Sequence, residues 1–332
     1  MTVSVVMAAW NARWCIGRAL DSVLAGTRVP EEILVCDDGS TDGTADWLES
    51  RYGPPVQVIR LPHRNAAEAR VVGLNRARGD WLAFMDADDM WQPAKLERQL
   101  ERIARRPELR WIGSDGDLFS DDGVVRPSWF SDYFDPVVEL DGDLLTPLLE
   151  RCYPLLSSMM VERNAYRAVG GLNVGYALSY DYDLWIRLAL RYPGAMLAEP
   201  LVRYYTGPHN LSRRYEARHR EDQRLMRRLA RADVAAPAPA PVRRRAAERA
   251  AGLDFDLGLM SLRAGRMREA RIRLWRASAR GPLRRRVLAL CGALAPRWSM
   301  RRLVRSGWLK SRVAAAREKA PARLEAGERG PA

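Results

Sequence analysis

The chain is poor in the residues on which several common chemistries depend. Its 332 residues hold three histidines and four cysteines. Three histidines leave little room for a His-based hydrolytic triad. The cysteines (Cys15, Cys36, Cys152 and Cys291) show neither Cys-x-x-Cys spacing nor a partnering His cluster. Neither a structural zinc site nor a disulfide framework is therefore expected, and the reading is a protein of the reducing cytosol. Cys36 sits in an apolar run and reads as a small buried residue. No stretch reaches the roughly 18 apolar residues that would span a bilayer. The opening MTVSVVMAAWNAR lacks the basic and small-residue pattern of a signal peptide, so no leader is expected.

Charge is plentiful, and it is unevenly placed. The formal net charge is +13. Residues 1–210 carry 22 Lys+Arg and 30 Asp+Glu, a net −8, whereas residues 211–332 carry 32 and 11, a net +21. The part with fold-forming periodicity is thus the acidic one, which argues against a nucleic-acid-binding globule. With 47% hydrophobic residues the chain can bury a sizeable core, and its length suggests about two domains.

Valine-rich or uniformly apolar runs at 2–9, 32–36, 56–61 and 81–85 have the pattern of parallel strands buried on both faces. Helical spacing separates them at 16–25, 42–51 and 67–78. Strands alternating with helices in this way predict an α/β, doubly wound, mostly parallel sheet, whose ligands bind at the carboxyl ends of the strands. From 110 to 178 the pattern is less regular, with turn clusters at 120–123 and 141–143. A helix is expected over 182–191, an edge strand over 199–205 and a charged helix over 216–232. The Pro/Ala stretch 233–242 reads as an extended linker. Beyond it, 243–279 predicts a helical hairpin turning near Ala264-Gly265-Arg266. LGLMSLRAGRMREARIRLWRA looks like one tetratricopeptide-type helix pair. The domains expected are 1–232, with a nucleotide half at 1–109 and an acceptor half at 110–232, and a basic helical tail at 243–332.

Two acidic segments fall at predicted strand ends. Asp37-Asp38-Gly39-Ser40-Thr41-Asp42 follows EILVC. Its carboxylates can accept hydrogen bonds from a base N–H and from ribose hydroxyls, Gly39 permits a sharp turn, and Ser40 or Thr41 can cap the next helix. A plain capped β–α turn would carry the same residues. Asp86-Ala87-Asp88-Asp89 follows WLAFM. Carboxylates this close repel unless a cation or hydrogen bonds offset them, and hard oxygen ligands suit Mg²⁺ or Mn²⁺. The bland alternative is an acid-dressed helix N-terminus, with Met90-Trp91-Gln92-Pro93 as the helix start and Asp89 partly a cap.

These segments, together with VSVVMAAWN (3–11), SVLAGT (22–27), AEARVVGLNRARGDWLAFMDADD (67–89), GGLN (170–173) and DYDLWIRLA (181–189), resemble the inverting nucleotide-sugar glycosyltransferases of family 2, which have the GT-A fold. The resemblance covers about residues 2–210 and leaves the tail outside. It implies that Ala8, Trp10, Asp37 and Asp38 cradle the nucleotide, and that Arg70 approaches the donor diphosphate. It also implies that Asp86 reaches ribose or sugar hydroxyls, that Asp88 binds Mn²⁺ or Mg²⁺, and that His209 is a late metal-ligating or phosphate-facing residue. Asp181 matches the general base on the acceptor hydroxyl. The family often writes Glu-Asp there, whereas this chain has Tyr180-Asp181, so Asp183 is the alternative base; it could equally orient its helix. The usual Asn-x-Gly loop is shortened to His63-Arg64-Asn65-Ala66-Ala67, and His63 reads as a loop or surface residue. Trp129, Phe130, Tyr133 and Phe134 would either stack on sugar rings or form a hydrophobic lid.

The activity so implied is metal-dependent transfer of a sugar from a nucleotide-diphosphate donor to a saccharide or lipid-linked acceptor, as in cell-surface polysaccharide or glycoconjugate synthesis. A nucleotidyltransferase and a degenerate, non-catalytic scaffold at the membrane are the competing readings. The former would want a Gly-rich basic phosphate loop, which AAWNARWCIG does not supply. The basic tail suits either a solvated surface or the anionic inner leaflet of a plasma membrane, with 283–309 the most amphipathic part and Trp298 and Trp308 as interfacial anchors. It carries no recognisable nucleic-acid platform.

Overall fold

The computed structural model describes residues 1–207, 214–231 and 238–294. Of the sequence expectations, His209, Trp298, Trp308 and residues 233–237 of the Pro/Ala stretch lie outside these residues. The chain divides into two compact units, 1–213 and 214 onward.

In the first unit the expected alternation is present. It runs β1 (Val3–Ala9), α1 (Ile16–Leu24), β2 (Glu32–Asp37), α2 (Thr44–Arg51), β3 (Val56–Arg60), α3 (Ala66–Arg76) and β4 (Trp81–Asp86). Then follow β5 (Met90–Trp91), α4 (Lys95–Arg105), β6 (Trp111–Ser120), β7 (Gly123–Arg126), β8 (Leu140–Gly142), α5 (Leu145–Glu150), β9 (Met160–Glu162), α6 (Arg163–Ala168), α7 (Tyr180–Ala189) and β10 (Gly194–Tyr205). One sheet holds all ten strands, with the path β3-β2-β1-β4-β9-β6-β10-β5, β7 on β6 and β8 on β10. The first four strands pair in parallel. Beyond β4 the sheet is mixed, because β9 runs antiparallel to both of its neighbours while β6 and β10 are parallel.

The apolar runs explain why β1, β2 and β4 are central. Val5, Met7, Ile33, Val35, Ala83 and Met85 share a core cluster with Ile16, Leu20 and Val23 of α1. The alternate residues face the other way, where a side chain on Gly73 of α3 would collide with Val6 and Cys36. Both faces are therefore covered, as parallel strands require. Phe84 of β4 and Trp111 of β6 meet Trp185 of α7, with ring centroids 5.4 and 6.3 Å apart. These contacts dock α7 on the sheet and fix where its first turn lies.

Three local expectations are corrected. Met90-Trp91 begins no helix: it is a short strand antiparallel to β10, and α4 starts at Lys95. The segment 199–205 is not an edge strand. It belongs to a 12-residue strand paired with β6 on one side and with β5 and β8 on the other. Its partners lie from 52 to 113 positions away in sequence, beyond the reach of local pattern. Ser40 and Thr41 do not cap α2, whose N-cap is Gly43 in the left-handed region. Ser40 Oγ accepts from Asn11 N at 2.8 Å and Thr41 N donates to Asn11 Oδ1 at 2.8 Å. The hydroxyl-bearing loop after β2 is thereby latched to the loop after β1.

The second unit comprises α8 (Tyr215–Ala230), α9 (Ala240–Arg263), α10 (Met267–Ala277) and α11 (Leu283–Leu294). Helix α8, which the 1–232 domain reading includes in the first part, groups with this unit. Residues 240–242 of the expected linker are the first turn of α9, where proline is tolerated because its missing N–H has no helical partner. α9 and α10 are joined by Ala264-Gly265-Arg266, with Gly265 at φ 72°. Leu274 fills the space left by Gly258 and Gly292, where an added Cβ would lie 2.9 Å from it. Asp254 is buried and receives Arg227 at 2.6 Å and Arg273 at 3.3 Å.

Gly39 provides the sharpest test of the loop geometry. It lies at φ 70°, and an added Cβ would stand 2.8 Å from the backbone nitrogen of His63. Left-handed backbone alone costs a non-glycine residue about 1–2 kcal/mol. Gly39→Ala is expected to lower the thermal midpoint followed by circular dichroism by several degrees, while Gly53→Ala, in open space at an unstrained position, leaves it within about a degree.

Candidate active site

Strand register brings the predicted residues together. Ala8 of β1 lies opposite Cys36 of β2 and Asp86 of β4, and Ala9 lies opposite Asp37. Three adjacent parallel strands therefore end at one level, with both acidic loops leaving from it. Ala8, Asp37 and Asp38 are buried, and Trp10 stands half exposed just beyond.

The loop after β2 is held from several sides. Asp38 N donates to Ala9 O at 2.8 Å. Asp38 Oδ1 accepts from Arg64 N at 2.9 Å, and His63 Nδ1 lies 3.1 Å from Asp38 Oδ2. The His63 ring stacks on Trp10, with centroids 4.8 Å apart at 21°. His63 is an exposed loop residue, as the sequence suggests, and it also ties Trp10 to the loop after β2. Asp37 Oδ2 accepts from Ser40 N at 3.2 Å, while its Oδ1 is buried without a hydrogen-bond partner. An orphaned buried carboxylate oxygen is costly unless a ligand donor completes it. The shortened loop compensates locally: Asn65 Oδ1 accepts from Glu68 N at 3.0 Å and Asn65 Nδ2 donates to Glu68 Oε1 at 2.9 Å, so the pair starts α3 and aims Arg70.

Arg70 is buried. It donates to the Tyr180 hydroxyl and to Asp86, both by very short contacts, and its Nε has no partner. Burial works against its charge, but Tyr180, Asp86, Asp181 and Asp88 outweigh burial and hold it protonated. Tyr180 is a site residue that the sequence reading missed. Its one trace was its place beside Asp181.

The acidic loop after β4 divides into distinct roles. Burial first, then the charge of Asp86, pushes the Asp88 carboxyl up to about 6. Asp89 is neither a helix cap nor open to ligand. It is buried and accepts from Ser157 Oγ at 2.5 Å and from Tyr205 N at 2.9 Å, clasping β4 to β10. Burial and the neighbouring carboxylates raise its pKa well above the usual range. Among the described residues no three His, Cys, Asp or Glu side chains converge as a ready-made cation cage. A divalent ion here would take one or two carboxylates and complete its shell with phosphate oxygens and water, a common arrangement for Mg²⁺. Asp88, carrying charge that burial and Asp86 disfavour, fits that role.

Arg18 of α1 closes the other side of Asp88. Its guanidinium reaches the Asp88 carbonyl at 3.5 Å and packs over the Tyr205 and Trp14 rings at 4.6 and 5.3 Å. No sequence motif marked this cluster, because its members come from α1 and the loop before it, the loop after β4, and β10. The aromatic segment near 130 forms a hydrophobic cluster: Phe130 is buried against Phe134 and Tyr153, and Asp115 anchors it by accepting from Phe130 N at 2.8 Å.

The two candidate bases differ in their surroundings. Both lie in the first turn of α7. Asp183 is buried and paired with Arg187 at 2.6 Å, and Arg187 also bonds the Gly171 carbonyl at 2.7 Å. Asp181 is partly exposed, accepts from Tyr182 N at 2.7 Å, and is near enough to Arg70 to help hold its charge.

Residues 4–136 match the model of the family "Glycosyl transferase family 2". The succinoglycan biosynthesis protein ExoO of Rhizobium meliloti is 40% identical over 101 residues, which cover 30% of this chain and 29% of ExoO. The UDP-Glc:alpha-D-GlcNAc-diphosphoundecaprenol beta-1,3-glucosyltransferase WfaP of Escherichia coli is 26% identical over 194 residues, 56% of this chain and 69% of WfaP. For the first three relatives the match spans 61%, 42% and 29% of their length. Among solved structures, S. aureus TarS 1–349 in complex with UDP-GlcNAc aligns with a TM-score of 0.67 at 15% identity, covering 94% of this chain and 92% of that one. Residues 4–136, which include both acidic loops at the ends of β2 and β4, thus match glycosyltransferase family 2, and the fold is of the GT-A type.

Proposed function

We propose that the first unit moves a sugar from a nucleotide-diphosphate donor to a hydroxyl of a saccharide or lipid-linked acceptor, with inversion at the anomeric carbon, in cell-surface polysaccharide or glycoconjugate synthesis. The observation that carries this reading is the level set of strand ends. One buried cation, Arg70, there faces four acidic groups, and a buried oxygen of Asp37 waits for a donor. The names of WfaP and TarS's ligand support a nucleotide-sugar donor, and WfaP's name supports a lipid-linked acceptor.

In this account Ala8 and Trp10 flank the base, the unpaired Asp37 oxygen accepts a base N–H, and Asp38 faces the ribose. Asp86 reaches ribose or sugar hydroxyls. Asp88 would hold Mn²⁺ or Mg²⁺, with His209 a further ligand. When bound, the cation offsets charge growing on the departing diphosphate, typically among the largest catalytic terms. Arg70, protonated and fixed by Tyr180, adds to that offset. Asp181 takes the proton of the acceptor hydroxyl as its oxygen bonds to the anomeric carbon. The bond from that carbon to the diphosphate oxygen breaks with its electron pair leaving on phosphate. The basic region after residue 213 would hold the enzyme at an anionic membrane, at the inner face of the plasma membrane, where a lipid-linked acceptor lies.

Two experiments test this. Asp88→Ala is expected to reduce Mn²⁺-dependent donor turnover by at least about 10²-fold; unchanged turnover contradicts the metal assignment. Asp181→Asn should reduce transfer about 10²–10⁴-fold with donor affinity preserved in calorimetry. Asp183→Asn, which weakens a buried ion pair, should instead cost stability of about 1–3 kcal/mol in denaturant unfolding. The reverse pattern makes Asp183 the base.

A further inference from the structure

We propose that the outward face of α10 and α11 is a docking surface for an anionic lipid bilayer. This deepens the membrane reading of the basic region and rests on it. Helix α11 is apolar on two sides. Ala289 and Ala293 are buried, and Gly292 abuts Leu274 of α10, so one side is used for packing. On the other side Leu283, Val287, Leu290 and Leu294 follow at i, i+4, i+7 and i+11, which confines them to an arc of about 60°. All four are exposed, from 38% to 73%. Ile272 and Trp275 of α10, at 45% and 58%, extend the exposed apolar surface of the unit. Apart from Tyr215, these six are the exposed large hydrophobic residues of the second unit among the described residues. An apolar stripe left this exposed among the described residues marks a contact surface.

Charge selects the occupant. Residues 266–294 carry nine arginines against one carboxylate, Glu269. Arg284 and Arg286 flank the stripe and are exposed, as are Arg268 and Arg276 on α10. A second copy of this face would bring arginine against arginine. The segment 295–332, with ten Lys+Arg and three Asp+Glu, is no better matched. A surface that is apolar within and anionic at its rim satisfies both features together, and that is the chemistry of an acidic bilayer interface, with Trp275 suited to the headgroup level.

The test uses the full chain and vesicles of phosphatidylcholine with or without about 30 mol% phosphatidylglycerol. Wild type is expected to float with the anionic vesicles and to remain largely free with the neutral ones. Val287→Glu/Leu290→Glu should lower the anionic-vesicle partition coefficient at least about tenfold while helix content by circular dichroism is retained. A second measurement does not rely on that variant. Cys291 is exposed beside the stripe, whereas Cys15 and Cys36 are buried. In a Cys152→Ser background, an environment-sensitive fluorophore on Cys291 should shift to the blue with anionic vesicles alone. Failure of wild type to float overturns the membrane reading itself. Flotation that the double variant leaves intact, with no fluorophore shift, overturns this face while sparing that reading. A vesicle-free dimer that the double variant disperses assigns the face to a second copy instead, and capture by a soluble acidic protein with no flotation assigns it to such a partner.

Discussion

Burying a guanidinium is costly unless carboxylates and hydroxyls surround it, and the candidate site is organised around Arg70 meeting that cost. Its charge is held by Tyr180, Asp86, Asp181 and Asp88, groups from α7, β4 and the loop after β4. The same cation limits the mutual repulsion of a cluster that would otherwise force carboxylates to protonate. Asp88 still feels burial and Asp86 strongly enough to be pushed up to about 6. In the proposed function a divalent cation would offset that crowding, with phosphates completing its oxygen shell.

The scaffold makes such crowding tolerable. Parallel strands covered on both faces end at a common level, so Asp37 and Asp86 are aligned by backbone hydrogen bonding with β1 rather than by flexible loops. Around them, side chains spend their hydrogen bonds on fastening one loop to the next. Asn11 joins Ser40 and Thr41, and Arg64 N joins Asp38. Asp89 gives up any ligand role to tie Ser157 and Tyr205 together. Preorganisation of this kind matters because a reacting group misplaced by about 1 Å can lose roughly 10² in rate.

Much of this was legible in the amino-acid sequence, and the division has a physical cause. β1, β2, α3 and β4 were readable because strands buried on both faces leave continuous apolar runs, and Asp37, Asp38, Asp86 and Asp88 because carboxylates crowded at strand ends are conspicuous. What escaped depends on distant pairing. The Arg70–Tyr180 contact joins residues 110 positions apart, and Asp89 with Tyr205 joins residues 116 apart. The interior place of β10, the stacking of His63 on Trp10 and the Arg18 cluster are likewise products of the fold. The net charge of +13 also divides along the chain, into an acidic α/β part and a basic helical one, whose α11 packs through one side and leaves an apolar stripe on the other.

Thermal unfolding with a panel of nucleoside diphosphates, nucleoside triphosphates and nucleotide-sugars, each with and without Mn²⁺, tests whether the strand ends bind a nucleotide-sugar together with a divalent ion. A ligand that binds only the folded state at about 100 times its Kd adds about 2.7 kcal/mol of stability. One nucleoside diphosphate and its sugar conjugate are expected to raise the midpoint in the presence of Mn²⁺, and Asp37→Asn to weaken the effect. Stabilisation by nucleoside triphosphates alone, or by no nucleotide with or without metal, would contradict that binding.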